Sequence, residues 1–193
     1  MSTHSIREVE ADYGRRIRIY DDVFQLIHRG LMYDCAQKSF FRLGWEDSLD
    51  IDRRCYPALH SLYSDEDVKT IGVLDYLSQT PLAHELVGYR VTKCVLNLST
   101  PSDPNFVHAH CEDKALLVYL NTEWKDGWHG ETLFYSDNMR DIVFASPYTP
   151  NRVIVFDPKM PHTIRPQSSI APFHRFTLGL FLTADSPPLS TDT

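Results

Sequence analysis

The spacing of apolar positions changes near the middle of the chain. Up to Gly88 they recur every three or four residues; from Tyr89 onward they alternate. In "YDDVFQLIHRGLMYDCAQKSF", Asp21 or Asp22 offers an N-cap, and Val23, Leu26, Ile27, Leu31 and Cys35 follow at helical spacing. "FFRLGWEDS" fits a strand. "SDEDVKTIGVLDYLSQT" predicts a second helix, opened by a Ser64–Asp67 capping box with Val68, Ile71, Leu74 and Leu77 as its stripe. "PLAHELVG" predicts a short third, begun by Pro81 and stopped by Gly88. The alternating half then reads as strands over "YRVTKCVLNLS", "FVHAH", "ALLVYLN", "GETLFY", "DIVFAS", "RVIVFD", "HTIRPQ" and "RFTLGLFL". Turn chemistry such as "TPSDPN", "KDGWHG" and "SPYTPN" separates them. Strands that follow a few helices predict a mainly β chain with N-terminal helices and a double-sheet jelly-roll core. The expected organisation is a single domain over 1–193: a helical support region at 1–88, the jelly roll at 89–184 and a disordered polar tail at 185–193.

Composition narrows the partners. With 193 residues, 42% of them hydrophobic, the chain suits one core. A net charge of -7 and pI near 5.7 leave no basic footprint for nucleic acid or anionic lipid. The longest clean apolar run, "ALLVYL", is far short of a membrane span, so no membrane partner is expected. Four separated cysteines without a CxxC, behind "MSTHSIREVE", which does not resemble a cleavable signal, suggest reduced thiols and a cytoplasmic location. Oligomeric state is not encoded in these patterns.

Candidate chemistry concentrates in "FVHAHCEDKALLVYLN". His108, His110 and Glu112 alternate, and in an extended chain such residues share a face with about 6.5 Å between successive members. His162 follows in "KMPHTIRP". Two imidazoles and a carboxylate form a facial triad for a non-haem Fe(II) ion and leave its other face open to an oxidant and a chelating cosubstrate. A solvated, charged strand end explains a His-x-Glu pair equally well. In "HRFTLGLFL", Arg175 and Thr177 share one face of an otherwise apolar strand. Turned inward, the guanidinium needs an anion, and its planar fork matches a carboxylate; turned outward, both are ordinary edge residues. His4, His28, His60 and His84 read as surface or packing residues.

In order along the chain, "HAHCED", "GETLFY", "PNRVIVFD", "MPHTIRP" and "HRFTLGLFL" resemble the Fe(II)/2-oxoglutarate-dependent dioxygenases, specifically their prolyl 4-hydroxylase-like branch, over Tyr89 to Leu182. The resemblance implies a double-stranded β-helix catalytic core. It implies iron ligands at His110, Glu112 and His162, and a 2-oxoglutarate clamp at Arg175 with Thr177; by its place on "ALLVYLN", Tyr119 is a further candidate contact to the cosubstrate, or equally a core tyrosine bonded to a backbone carbonyl. It further implies Fe(II), 2-oxoglutarate and O2 as reactants, ascorbate as reductant in vitro, and hydroxylation of a C–H bond in a small molecule, amino acid or peptidyl residue. Arg165 and Trp128 are candidate substrate contacts. "WHGETLFY" is similar to the family's Gly-Gly hairpin, with His129 where a glycine is usual.

Glu112 lies only three residues before Ala115, a tight loop for this family. Moving the pair back to His108 and His110 relieves it and gives a three-histidine site, as in cupin-type dioxygenases that work without 2-oxoglutarate. A non-enzymatic jelly-roll binding protein is the remaining alternative.

Overall fold

A computed structural model describes residues 6–44, 58–103 and 106–185. The elements run β1 (Ile6–Glu10), β2 (Arg16–Tyr20), α1 (Leu26–Lys38), β3 (Arg42–Leu43), β4 (Leu59–Leu62), α2 (Asp65–Ile71), α3 (Val73–Ser78), α4 (Ala83–Leu86) and β5 (Tyr89–Ser99). They continue with β6 (Lys114–Tyr119), β7 (Thr132–Tyr135), β8 (Ile142–Ser146), β9 (Val153–Phe156), β10 (His162–Ile164) and β11 (Arg175–Ala184). Eight strands form one antiparallel sheet in the order β1-β2-β9-β6-β11-β5-β4-β3, and a smaller sheet, β10-β7-β8, faces it. The fold is the expected jelly roll.

The first half is not purely helical. β1 and β2 extend one end of the large sheet, where Arg18 to Tyr20 pair with Val153 to Val155, and β4 extends the other, where Leu59 to Leu62 pair with Val95 to Leu98. "RIRIY" alternates charge and bulk at the period of a strand, and that signal went unread among the helical ones.

Helix α1 starts at Leu26, not after Asp21 or Asp22: Asp22 has φ 54, and the N-cap position falls to Gln25. Its buried residues are Met32 and Ala36, while Leu26, Ile27 and Leu31 are exposed, so the face that packs is not the anticipated stripe. The capping box at Ser64 forms as expected: the Asp67 N–H donates to the Ser64 hydroxyl and the Ser64 N–H to the Asp67 carboxylate. The single helix expected there is two, broken at Gly72. Gly72 sits at φ 71, and a Cβ on it would meet the Tyr76 ring at 2.9 Å. Of "FFRLGWEDS", Arg42–Leu43 is strand among the described residues; 45–57 and the tail beyond 185 lie outside them. "FVHAH" is not a strand either. His108 forms one isolated bridge to His162.

Two cores result. On the outer face of the large sheet, Leu116, Val118, Phe176, Leu178, Leu180 and Leu182 meet helical residues such as Met32, Val68, Ile71 and Leu77. Between the sheets lie Ile17, Ile19, Ala115, Phe134, Ile154, Phe156 and Phe181. Central strands buried on both faces explain the continuous apolar character of "VIVF".

Candidate active site

The space between the sheets is not completely filled. A cavity of about 100 Å³ remains, lined by side chains of β4, β5, β6, β7, β9, β10 and β11 and by the segment before β6. Strand alternation decides what enters it. On β11, Gly179 and Phe181 line the cavity, and Thr177 and Arg175 continue the same row.

Three imidazoles gather at one end. One ring nitrogen from each of His108, His110 and His162 lies within 4.8 Å of the others. Backbone pairing fixes the arrangement. The His108 N–H donates to the His162 carbonyl at 3.0 Å, the His162 N–H returns the bond at 2.9 Å, and the His110 N–H donates to the Pro158 carbonyl at 2.8 Å. The His162 Nδ1 lies 2.7 Å from the Met160 carbonyl, so Nδ1–H donates there and Nε2 keeps its lone pair for a ligand. Phe156 and Phe181 wall the rings, with centroids 5.0 Å from His162 and 4.4 Å from His110. Burial, then the neighbouring His162 and the Lys93 charge, push the His110 imidazole down to about 3; burial takes His162 down to about 4 against the pull of its Met160 bond. Both rings are therefore neutral and able to coordinate at neutral pH.

Glu112 is not in this group. The extended stretch ends at His110 and the chain bends through 111–113, so the alternation that aligns His108 with His110 is lost before Glu112. The Cys111 thiol lies 3.9 Å from Glu112 Oε2, outside the triad. Among the described residues the candidate metal ligands are three histidines. Neutral, convergent imidazoles fit a divalent first-row ion, iron included. They also leave its charge to be balanced by an incoming anion.

Arg175 is fully buried. Its Nε donates to the Gly130 carbonyl at 2.8 Å, Nη1 to the Thr177 hydroxyl at 3.0 Å and Nη2 to the Thr132 hydroxyl at 3.3 Å. The guanidinium lies over the rings of Tyr148 and Tyr119, at 4.7 and 5.3 Å from their centroids. The Tyr119 hydroxyl meets that of Thr132 at 2.7 Å. Gly130 makes this approach possible: it sits at φ 85, and a Cβ there would meet the Arg175 side chain at 2.9 Å. Among the described residues no carboxylate reaches ion-pair distance of the guanidinium. Burial pulls its pKa down, against the opposing pull of Tyr119, Tyr148 and the more distant Asp103 carboxylate. Thr132 lines the cavity and so links this cation to the space the histidines face.

The remaining sequence candidates lie elsewhere. Arg165 Nη1 is 3.6 Å from Glu131 and half-exposed, and Trp128 packs edge-on against Trp124 and Phe173; neither lines the cavity. His129 adopts φ 57 and approaches Glu131 at 3.7 Å, with its carbonyl accepting from Trp124 Nε1. Sequence reasoning passed over Asp103 and read His60 only as a surface or packing residue. His60 is buried and lines the cavity from β4, a strand whose short length hid its alternation.

No protein-family model matches the chain, and no curated protein matches its sequence. Solved structures do match. A prolyl hydroxylase from Trichoplax adhaerens, in complex with a hypoxia inducible factor oxygen degradation domain peptide fragment, is similar at 16% identity and TM-score 0.64, over 87% of this chain and 83% of that one. A Pseudomonas putida prolyl-4-hydroxylase matches at 14% identity and TM-score 0.57, over 96% of this chain and 95% of its own. A 2OG-Fe(II) oxygenase family oxidoreductase from Burkholderia pseudomallei matches at 11% identity and TM-score 0.60, over 86% and 84%. The chain thus has the double-stranded β-helix fold found in prolyl hydroxylase-like 2-oxoglutarate oxygenases. No helix among the described residues is long and apolar enough to cross a membrane.

Proposed function

We propose that this chain is a non-haem Fe(II)- and 2-oxoglutarate-dependent oxygenase, with His108, His110 and His162 as metal ligands and Arg175, Thr177 and Tyr119 holding the cosubstrate. The observation that carries the reading is Arg175, a fully buried cation with no carboxylate at ion-pair distance among the described residues, beside a cavity onto which three imidazoles converge. A buried charge of this kind is costly unless an anion meets it. A diacid satisfies two needs at once, bringing one carboxylate to the guanidinium and an anionic end to a metal held by neutral ligands.

When bound, Fe(II) supplies oxygen activation, coupling conversion of 2-oxoglutarate and O2 to succinate and CO2 with hydroxylation of a substrate C–H bond. The protein's part is positional. The Met160 carbonyl fixes the His162 tautomer, and Phe156 and Phe181 exclude water around the ligands. Thr132 and Thr177 set the plane of the guanidinium. The substrate is a small molecule, an amino acid or a peptidyl residue; the peptide carried by the Trichoplax adhaerens protein supports the last. Ascorbate serves as reductant in vitro. The free thiols of Cys35, Cys94 and Cys111 suit a cytoplasmic setting.

The three-histidine group also favours a second reading, a cupin-like dioxygenase that needs no 2-oxoglutarate. One experiment separates the two: succinate release and O2 uptake with Fe(II) and ascorbate, with and without 2-oxoglutarate, over a panel of candidate substrates. The first reading expects succinate and strict dependence on the diacid; oxygen uptake that ignores it selects the second. Metal retention tests the ligand set. His110→Ala and His162→Ala are each expected to lose iron and turnover together, whereas Glu112→Gln holds iron within about twofold of the wild type, since no carboxylate–metal bond is removed. Iron lost from Glu112→Gln restores the carboxylate to the site.

A further inference from the structure

Across the cavity face of the large sheet, one row of side chains is polar over four strands. Tyr119 of β6 is in register with Thr177 of β11, Thr177 with Asn97 of β5, and Asn97 with His60 of β4. The first two serve Arg175. Asn97 and His60 continue the row past the clamp, and both line the cavity, as do Ser99 and Asp103. Most of the remaining wall is apolar, including Leu62, Val95, Phe156 and Phe181.

Asp103 is the one carboxylate on that wall among the described residues. It is half-buried and held in place: the Thr100 N–H donates to it at 3.0 Å and the Thr100 hydroxyl at 2.9 Å. Burial raises its pKa, opposed by the Thr100 and Ser99 bonds and by the charge of Arg175. Among the described residues no Lys or Arg reaches ion-pair distance of Asp103, so its carboxylate stands on the cavity wall without a direct cationic partner. The Asn97 side chain, half-buried, lines the same cavity and adds a second polar group to it.

Resting on the oxygenase reading, we infer that Asp103, with Asn97, is the substrate-recognition subsite and that it selects a primary ammonium group carried on a short apolar body. The ammonium supplies the cation Asp103 lacks, donates to the Asn97 carbonyl oxygen, and leaves its hydrocarbon against the apolar wall. A charge-assisted contact in a partly dry site is stronger than one between neutral groups, so discrimination against a neutral isostere follows.

The test uses the full chain loaded with Co(II) and 2-oxoglutarate, so that binding is read without turnover. Isobutylamine, isobutanol, isobutyrate and N-acetylisobutylamine are titrated by calorimetry. The amine is expected to bind at least tenfold more tightly than the other three, and Asp103→Asn, whose amide oxygen still accepts from Thr100, is expected to bring amine and alcohol within about twofold. Equal affinity for amine and alcohol in the wild type overturns the inference, as does an amine preference that survives in Asp103→Asn. The acetylated amine probes the same charge without a substitution: if it binds as well as the free amine, the inference also falls. Wild-type protein that binds 2-oxoglutarate but shows no amine preference sinks this inference alone; wild-type protein that does not bind 2-oxoglutarate sinks the oxygenase reading beneath it.

Discussion

The two faces of β11 carry different duties on eight consecutive buried residues, Arg175 to Leu182. Toward the helices, Phe176, Leu178, Leu180 and Leu182 fill the outer core with hydrocarbon alone. Toward the cavity, Arg175, Thr177, Gly179 and Phe181 present a cation, a hydroxyl, a gap and one ring. Backbone and burial are shared, so the contrast isolates side-chain chemistry. One face is filled by hydrocarbon within the protein; the other sets a buried cation beside an open cavity and, on the proposed function, takes an anion. Stability is expected to depend on the first and ligand binding on the second.

The largest expected effect is on the cavity face. Arg175→Gln removes a charge-assisted, desolvated contact with a carboxylate, worth about 3 kcal/mol or more, hence a loss of about 100-fold or more in 2-oxoglutarate affinity. Calorimetry on Co(II)-loaded protein reads it. The same substitution removes a buried charge that has no carboxylate at ion-pair distance among the described residues, so the ligand-free variant is expected to melt at or above the wild-type temperature. A fall in melting temperature comparable to that of a core truncation breaks the division of labour.

Leu180→Ala is the matching change on the hydrocarbon face. Leu180 is fully buried against the helices, and truncation removes about 2–5 kcal/mol of stability through lost transfer energy and the cavity left behind. Chemical denaturation measures it. The affinity of the folded fraction for 2-oxoglutarate is expected to stay within about threefold, because no atom of Leu180 faces the site.

This division was partly legible in the sequence. Alternation over "RFTLGLFL" put Arg175 with Thr177 on one face and the leucines on the other, but whether the polar face met solvent or a cavity depended on β4, β5 and β7, which one strand's pattern does not describe. The same limit acted at the metal end. Period-two spacing aligned His108 with His110, and the isolated bridge to His162 is non-local; the bend at 111–113 that removes Glu112 has no proline or glycine to announce it. His60 was read as a surface or packing residue because β4 is only four residues long, and its place on the cavity wall follows from non-local pairing with β5. In α1, two stripes satisfied helical spacing, and tertiary packing chose Met32 and Ala36 over Leu26, Ile27 and Leu31. Local period fixes parity, and neighbours decide what each parity meets.

Gly179 gives the smallest and sharpest test of the contrast. Its missing side chain keeps the wall open between Thr177 and Phe181, and a Cβ there would lie 3.2 Å from the Phe181 ring. That ring is the near neighbour of His110, 4.4 Å away between centroids. In Gly179→Ala the added methyl meets the edge of a ring rather than backbone, so the ring shifts by a few tenths of an ångström and carries its contact with His110 with it. The cost in stability is about 1 kcal/mol, at the low end for overpacking, because the cavity gives the ring somewhere to go. Metal affinity falls a few-fold, read by competition with a chelator, since His110 loses the support that sets its orientation. If stability falls as far as in Leu180→Ala while metal affinity stays at the wild-type value, the cavity face is an ordinary core surface and the contrast between the two sides of β11 is lost.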